Sequence, residues 1–144
     1  MLIYACSSSH GFGHAARDAA VLQQLRQLRP DWTLVMSSAI QPSFLTTLLN
    51  DDAILQRRCR WDVGVRQADA LGSDPAATLS ALAQLDEDLP DLLRREIEWI
   101  RSWREPTLLL ADVPPAAAQL ANALGAPLVW MSNFGWDDIY RPFG

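Results

Sequence analysis

The sequence predicts an α/β fold, an open parallel sheet with helices on both faces. Three observations carry that prediction. Short apolar runs of strand length recur along the chain, stretches of helical spacing lie between most of them, and glycine or proline punctuates the joins. Strands joined through helices of ten or more residues pair in parallel, and a parallel sheet needs cover on both faces.

The elements follow in order. Residues 2–6 have the length of a buried strand, and the glycine turn within "SSHGFGH" (8–14) ends it. From 13 to 28 the spacing becomes helical, with Ala15, Ala19, Leu22 and Leu25 three and four apart, until Pro30 stops it. Residues 32–38 are a second buried strand, and 41–50 a short helix with Pro42 near its start. Residues 53–65 hold one or two short strands. Two helices are expected next: "DPAATLSALAQL", with Asp74 as cap and Pro75 at the first position, and "LPDLLRREIEWIRSWRE", closed by Pro106. A strand over 107–115 carries Asp112, a helix from 116 is ended by Gly125, a strand covers 127–133, and "WDDIY" (136–140) makes a helical turn.

With 144 residues, 49% hydrophobic and 20% charged, the chain reads as one folded domain with a real core. A formal net charge of −5 argues against a nucleic-acid partner or an anionic membrane surface. All twelve basic residues are arginine, which excludes a Walker A loop and lysine chemistry. Cys6 and Cys59 read as core thiols of a reducing compartment. No signal peptide or transmembrane segment is expected, so the reading is cytoplasmic. The ending in "RPFG", just after an aromatic cluster, reads as a half or a fragment of a longer protein.

"GFGHAA" satisfies G-x-G-x-x-G/A through Gly11, Gly13 and Ala16, after a strand and opening a helix. Amides of such a turn, with the helix dipole behind them, form an anion seat; alternatively the glycines only permit a sharp corner. A dinucleotide cofactor also wants an acid at the end of the second strand, which here reads "MSSA", so no cofactor is expected. His10 and His14 bracket the turn at the sheet edge where open α/β folds bind ligands. A metal pair is disfavoured there by the intervening glycines and the lack of an H-E-x-x-H motif, and no metal is expected. A histidine at a helix amino end is suited to accept a proton. Asp112, ending an apolar strand on the same edge, either orients that histidine or caps the following helix. Ser132 and Asn133 end the next strand there.

Phe134, Trp136, Tyr140 and Phe143 beside Asp137 and Asp138 read equally as a carbohydrate surface and as a domain-docking surface. Arg17 and Asp18 are placed in the first turn of the first helix, with Arg17 able to reach a phosphate and Asp18 favouring the dipole. "RRCR" (57–60) reads as a solvated strand edge rather than a binding patch.

In their order, the blocks "GFGHAARDAAVLQQL" and "LLADVPPAAAQLANALGAPLVWMSNFGWDDIY", with "DVGVRQADALGSDPAATLSAL" between them, resemble the amino-terminal half of a GT-B-type glycosyltransferase. More narrowly, they are similar to the glycosyltransferase-like domain of L-arabinokinases and its stand-alone bacterial relatives. The resemblance implies a single Rossmann-like domain over 1–144 that holds the acceptor, with a missing carboxyl-terminal domain holding most of a nucleotide-sugar donor. It implies His14 as base on an acceptor hydroxyl, assisted by Asp112, and Gly11, Phe12 and Gly13 as contacts to acceptor or donor phosphate; the residues themselves add His10, Arg17, Ser132, Asn133, Trp136 and Asp137 as candidate phosphate- or substrate-binding residues. It implies no metal and no cofactor. The alternative is a non-catalytic sugar or sugar-phosphate binding domain associated with a sugar kinase.

Overall fold

A computed structural model describes residues 1–68, 72–132 and 134–141, residue 137 by its backbone only. In chain order the elements are β1 (Leu2–Ser7), α1 (Phe12–Leu28), β2 (Thr33–Ser37), α2 (Pro42–Leu49) and β3 (Leu55–Arg57), then α3 (Pro75–Ser102), β4 (Thr107–Asp112), α4 (Ala116–Leu124), β5 (Leu128–Trp130) and α5 (Trp136–Tyr140). The five strands form one sheet in the order β3-β2-β1-β4-β5, all parallel. The expected α/β architecture with a Rossmann-like sheet is what the chain adopts.

Alternation along β1 assigns the two faces. Leu2, Tyr4 and Cys6 enter a core formed with α3 and α4, whereas Ile3 and Ala5 enter a second core against α1 and α2. Every residue of β1 is buried because it is the central strand. Its carboxyl end, next to that of β4, is where the strand order reverses and where such sheets open a crevice.

Local signals place most element ends. Asp74 caps α3 by accepting the Ala77 amide at 2.9 Å. Asn50 and Gly125 end α2 and α4 in the left-handed conformation, φ 47° and 63°. Helix α1 starts at Phe12, one residue early, with Gly11 as its cap. Arg17 and Asp18 therefore lie in its second turn rather than its first, and Asp18 is buried instead of facing the helix dipole.

Two expectations are corrected, and a third is met in part of its span. The two helices around Pro90 are one helix of 28 residues. Proline removes one helical hydrogen bond, but Leu89 and Leu92 on either side of it are both buried, and that tertiary gain outweighs the local cost. The stretch 53–65 holds one short strand, the three-residue β3, within the one or two expected, followed by an irregular segment that packs through buried Cys59, Trp61 and Asp62. Finally, β5 stops at Trp130, so Ser132 lies beyond the strand; Asn133 lies outside the described residues.

A buried polar network anchors the segment after β3. Glu96 of α3 accepts a two-pronged pair from Arg57, at 3.0 and 2.6 Å, and the Tyr4 hydroxyl at 2.7 Å. Trp61 Nε1 donates to Ser37 Oγ at 2.8 Å, and Tyr4 stands 2.9 Å from the same oxygen. Burial pushes the Glu96 carboxyl up, but Arg57 and Tyr4 together hold it below the ordinary value. No helix among the described residues is long and apolar enough to cross a membrane.

Candidate functional site

The site forms at the carboxyl ends of β1 and β4, where Ser7 and Asp112 stand opposite each other in the register. From β1 the chain turns through Gly11, at φ 83° and ψ 162°, a conformation that residues with a Cβ rarely adopt. The turn brings His14, in the first turn of α1, over the end of β4 and onto Asp112, 98 residues away.

Asp112 is fully buried and acts as the hub. Its Oδ1 lies 3.0 Å from His14 Nδ1 and accepts Arg17 Nη2 at 2.6 Å, and its Oδ2 accepts Arg17 Nε at 2.8 Å. Arg17 thus grips the carboxylate with a guanidinium fork while His14 shares one of the two oxygens. With Nδ1 carrying the proton toward the carboxylate, the other ring nitrogen is left as an acceptor. The helix-capping alternative for Asp112 does not hold, since α4 begins at Ala116 without a side-chain cap.

His14, His10, Gly13, Arg17 and Phe134 line an open crevice of about 360 Å³. The Phe134 ring lies edge-on to His14 at 6.0 Å and forms one wall. A second, mostly apolar hollow of about 390 Å³ continues past Phe134 between Val113, Pro115 and Trp130. Gly13 is helical, and a Cβ placed on it would meet nothing within 4 Å, so no packing demand accounts for a glycine there. What the missing side chain leaves is open access to the helix amino end.

The remaining expected residues divide. His10 is exposed at the mouth of the crevice and stands edge-on to Trp136 at 5.5 Å. Phe12 is 64% exposed and packs on Phe44 at 4.5 Å, outside the crevice lining. Arg17 lines the crevice with Nε and Nη2 committed to Asp112, which places it as a brace of the carboxylate. Ser132 Oγ is taken up locally with the Phe134 backbone, accepting its amide at 3.1 Å. Trp136 is 3% exposed, and its Nε1 donates to Asp62 Oδ2 at 2.8 Å, so it stands as a buried strut beside the crevice. The side chain of Asp137 lies outside the described residues.

Sequence reasoning passed over two residues that shape this site, Gly64 and Asp62. Gly64, at φ 70°, lies so close beneath His10 that a Cβ would fall 2.1 Å from the imidazole Nδ1, far inside contact distance. An isolated glycine in a stretch read as strand was the available signal, since it marks close backbone approach. Asp62 fixes Trp136, and Tyr140 stacks on Trp136 at 5.4 Å. Burial and the nearby Asp62 push the Tyr140 hydroxyl up to about 12. Asp18, read from sequence as facing the helix dipole, is instead fully buried one position after Arg17, with neither carboxylate oxygen hydrogen-bonded in good geometry among the described residues. Burial, opposed by the Ser7 hydroxyl, aided by the Asp112 charge and opposed again by Arg17, leaves its carboxyl raised to about 7.

No three His, Cys, Asp or Glu side chains gather as a metal site among the described residues. No family model matches the chain. The chain is 31% identical over 138 residues, 94% of its length, to the L-arabinokinase of Arabidopsis thaliana, and it spans 13% of that protein. Over nearly its whole length, therefore, it is related to one segment of an arabinokinase.

Proposed function

We propose that the chain is the acceptor-side domain of a GT-B-like glycosyltransferase, whose nucleotide-diphosphate sugar is held mainly by a further domain. The observation that carries this reading is the His14–Asp112 pair at the strand-order reversal, one ring nitrogen on a buried carboxylate and the other available to the crevice. In the reaction, that nitrogen takes the proton of an acceptor hydroxyl as its oxygen bonds to the anomeric carbon. The bond from that carbon to the diphosphate breaks, and the nucleotide diphosphate leaves with the electron pair. Asp112 keeps the imidazole oriented and balances its charge once protonated. Arg17 holds the carboxylate in place, and Phe134 offers a ring for the acceptor to rest on. The helix amino end at Gly11–Gly13 faces the anionic portion of the ligands.

The test is transfer by the protein together with its donor-binding domain, with and without His14→Ala. Loss of the base lowers turnover by about 10²–10⁴-fold. A rate near that of the unaltered protein removes His14 from the chemistry.

A second reading has its own support. The similarity to L-arabinokinase favours a non-catalytic sugar or sugar-phosphate binding domain associated with a sugar kinase. Under it, arabinose or a sugar phosphate shifts the tryptophan fluorescence, His14→Ala abolishes that shift, and no donor supports transfer. The two readings separate on transfer while sharing the crevice, so binding alone does not choose between them.

A further inference from the structure

The arginines of this chain are unevenly employed. Of the twelve, seven hold a carboxylate or a backbone carbonyl, as Arg57 holds Glu96 and Arg101 the carbonyl of Ala123. The other five, Arg58, Arg60, Arg66, Arg95 and Arg104, have no side-chain hydrogen bond or ion pair among the described residues. Four of those five line a single crevice of about 590 Å³ between the segment after β3 and the middle of α3.

The arrangement follows from the fold. Cys59 and Trp61 are buried while Arg58 and Arg60 are exposed, so period-two alternation turns the two arginines to one side. The Arg57–Glu96 pair ties this segment to α3, which contributes Arg95 one residue before Glu96. Arg66 closes the group from the far end of the segment. Cys59 and Leu92 form part of the floor.

Carboxylates border the crevice as well. Glu87 and Asp88 face the Gln84 amide at 3.5 and 3.3 Å, and Asp91 faces Arg94 at 3.4 Å. None of them forms an ion pair with the four arginines among the described residues. The four guanidiniums outnumber the three carboxylates of the rim and form no ion pair with them, so an anion that meets them directly is favoured. Guanidinium forks match phosphate oxygens, and the size of the crevice is that of a small-molecule site.

We infer that this crevice is a second ligand site, for a phosphorylated small molecule whose phosphate meets Arg58, Arg60, Arg66 and Arg95 and whose hydroxyls meet the carboxylate rim. It shares no lining residue with the His14 crevice. A long polyanion is disfavoured by the net charge of −5.

The experiment is calorimetric titration of the protein with pyrophosphate and, separately, with glucose 1-phosphate, at constant ionic strength. Four variants are compared: Arg58→Ser/Arg60→Ser, Arg95→Ser, Arg104→Ser and His14→Ala. The expected result is binding that weakens about tenfold or more in the first two and stays unchanged in Arg104→Ser, while His14→Ala reports on the other crevice and leaves the arginine-dependent part of the binding in place. Should the double variant fail to fold, Arg95→Ser decides, because Arg95 is exposed on a helix surface. Binding lost in His14→Ala but kept in the crevice variants assigns the phosphate to the glycine turn and overturns the inference. So does an equal loss in Arg104→Ser, or no binding of either probe up to about 10 mM.

Discussion

The imidazole of His10 occupies the space that a side chain on Gly64 would need. Through this contact the loop after β1 is keyed to the segment after β3, and Trp136, edge-on to His10 and hydrogen-bonded to Asp62, closes the group.

Gly64→Ala therefore suffers twice, from its φ of 70° and from the imidazole. The expected loss of stability is about 1–3 kcal/mol, together with displacement of His10. Urea unfolding gives the first, and tryptophan fluorescence gives the second through the His10–Trp136 contact. A variant that is as stable as the parent with unchanged fluorescence contradicts the keyed arrangement.

The two glycines of the β1–α1 turn separate in the same way. Gly11→Ala meets an unfavourable backbone conformation and costs about 1–3 kcal/mol. Gly13→Ala meets open space in a helix and leaves stability unchanged or raises it by about 0.5–1 kcal/mol. If the helix amino end receives a phosphate, Gly13→Ala nonetheless weakens ligand binding. Thermal melts with and without ligand test the pair, and intact binding in Gly13→Ala makes the turn a corner only.

Asp18 gives the fold a pH dependence of definite sign. Its folded-state carboxyl is raised from 3.8 to about 7, so the folded chain holds a proton that the unfolded chain has released. Stability from this group is full below about pH 4, falls as pH rises toward 7, and levels off above it. Asp18→Asn removes the dependence and stabilises the protein by a few kcal/mol at pH 8 but little at pH 4. Denaturant midpoints at both pH values check this, and an equal effect at the two contradicts a raised carboxyl.

Pro90 lies inside α3 and leaves the carbonyl one turn earlier without its helical donor. Pro90→Ala restores that bond, and the expected gain is about 1–3 kcal/mol, read from the melting temperature. A loss instead means that the backbone geometry proline sets at position 90 is needed to seat Leu89 and Leu92.

How much of this was legible in the residues follows from the range of each cause. Strand length, helical spacing, the Asp74 cap and the glycine turn are local, so the α/β sheet and nearly all of its elements could be read directly. Pro90 misled because the decisive term was burial of its neighbours against a distant sheet. The pairing of His14 with Asp112 could be anticipated from strand ends alone, since a parallel sheet puts all of its carboxyl ends on one edge.

Other features arose only when the chain closed on itself. That Arg17 grips Asp112, that Trp136 turns inward to Asp62, that His10 rests on Gly64 and that four arginines gather beside α3 depend on contacts between distant parts of the sequence, 95 residues apart for Arg17 and Asp112 and 74 for Trp136 and Asp62. The sequence by itself determined the alternation of strands and helices and the placement of the glycine turn, because propensity and periodicity act over a few residues. The tertiary structure alone decided which polar groups share a partner and which aromatic rings are covered, because desolvation depends on every element packed around a side chain and no local pattern records it.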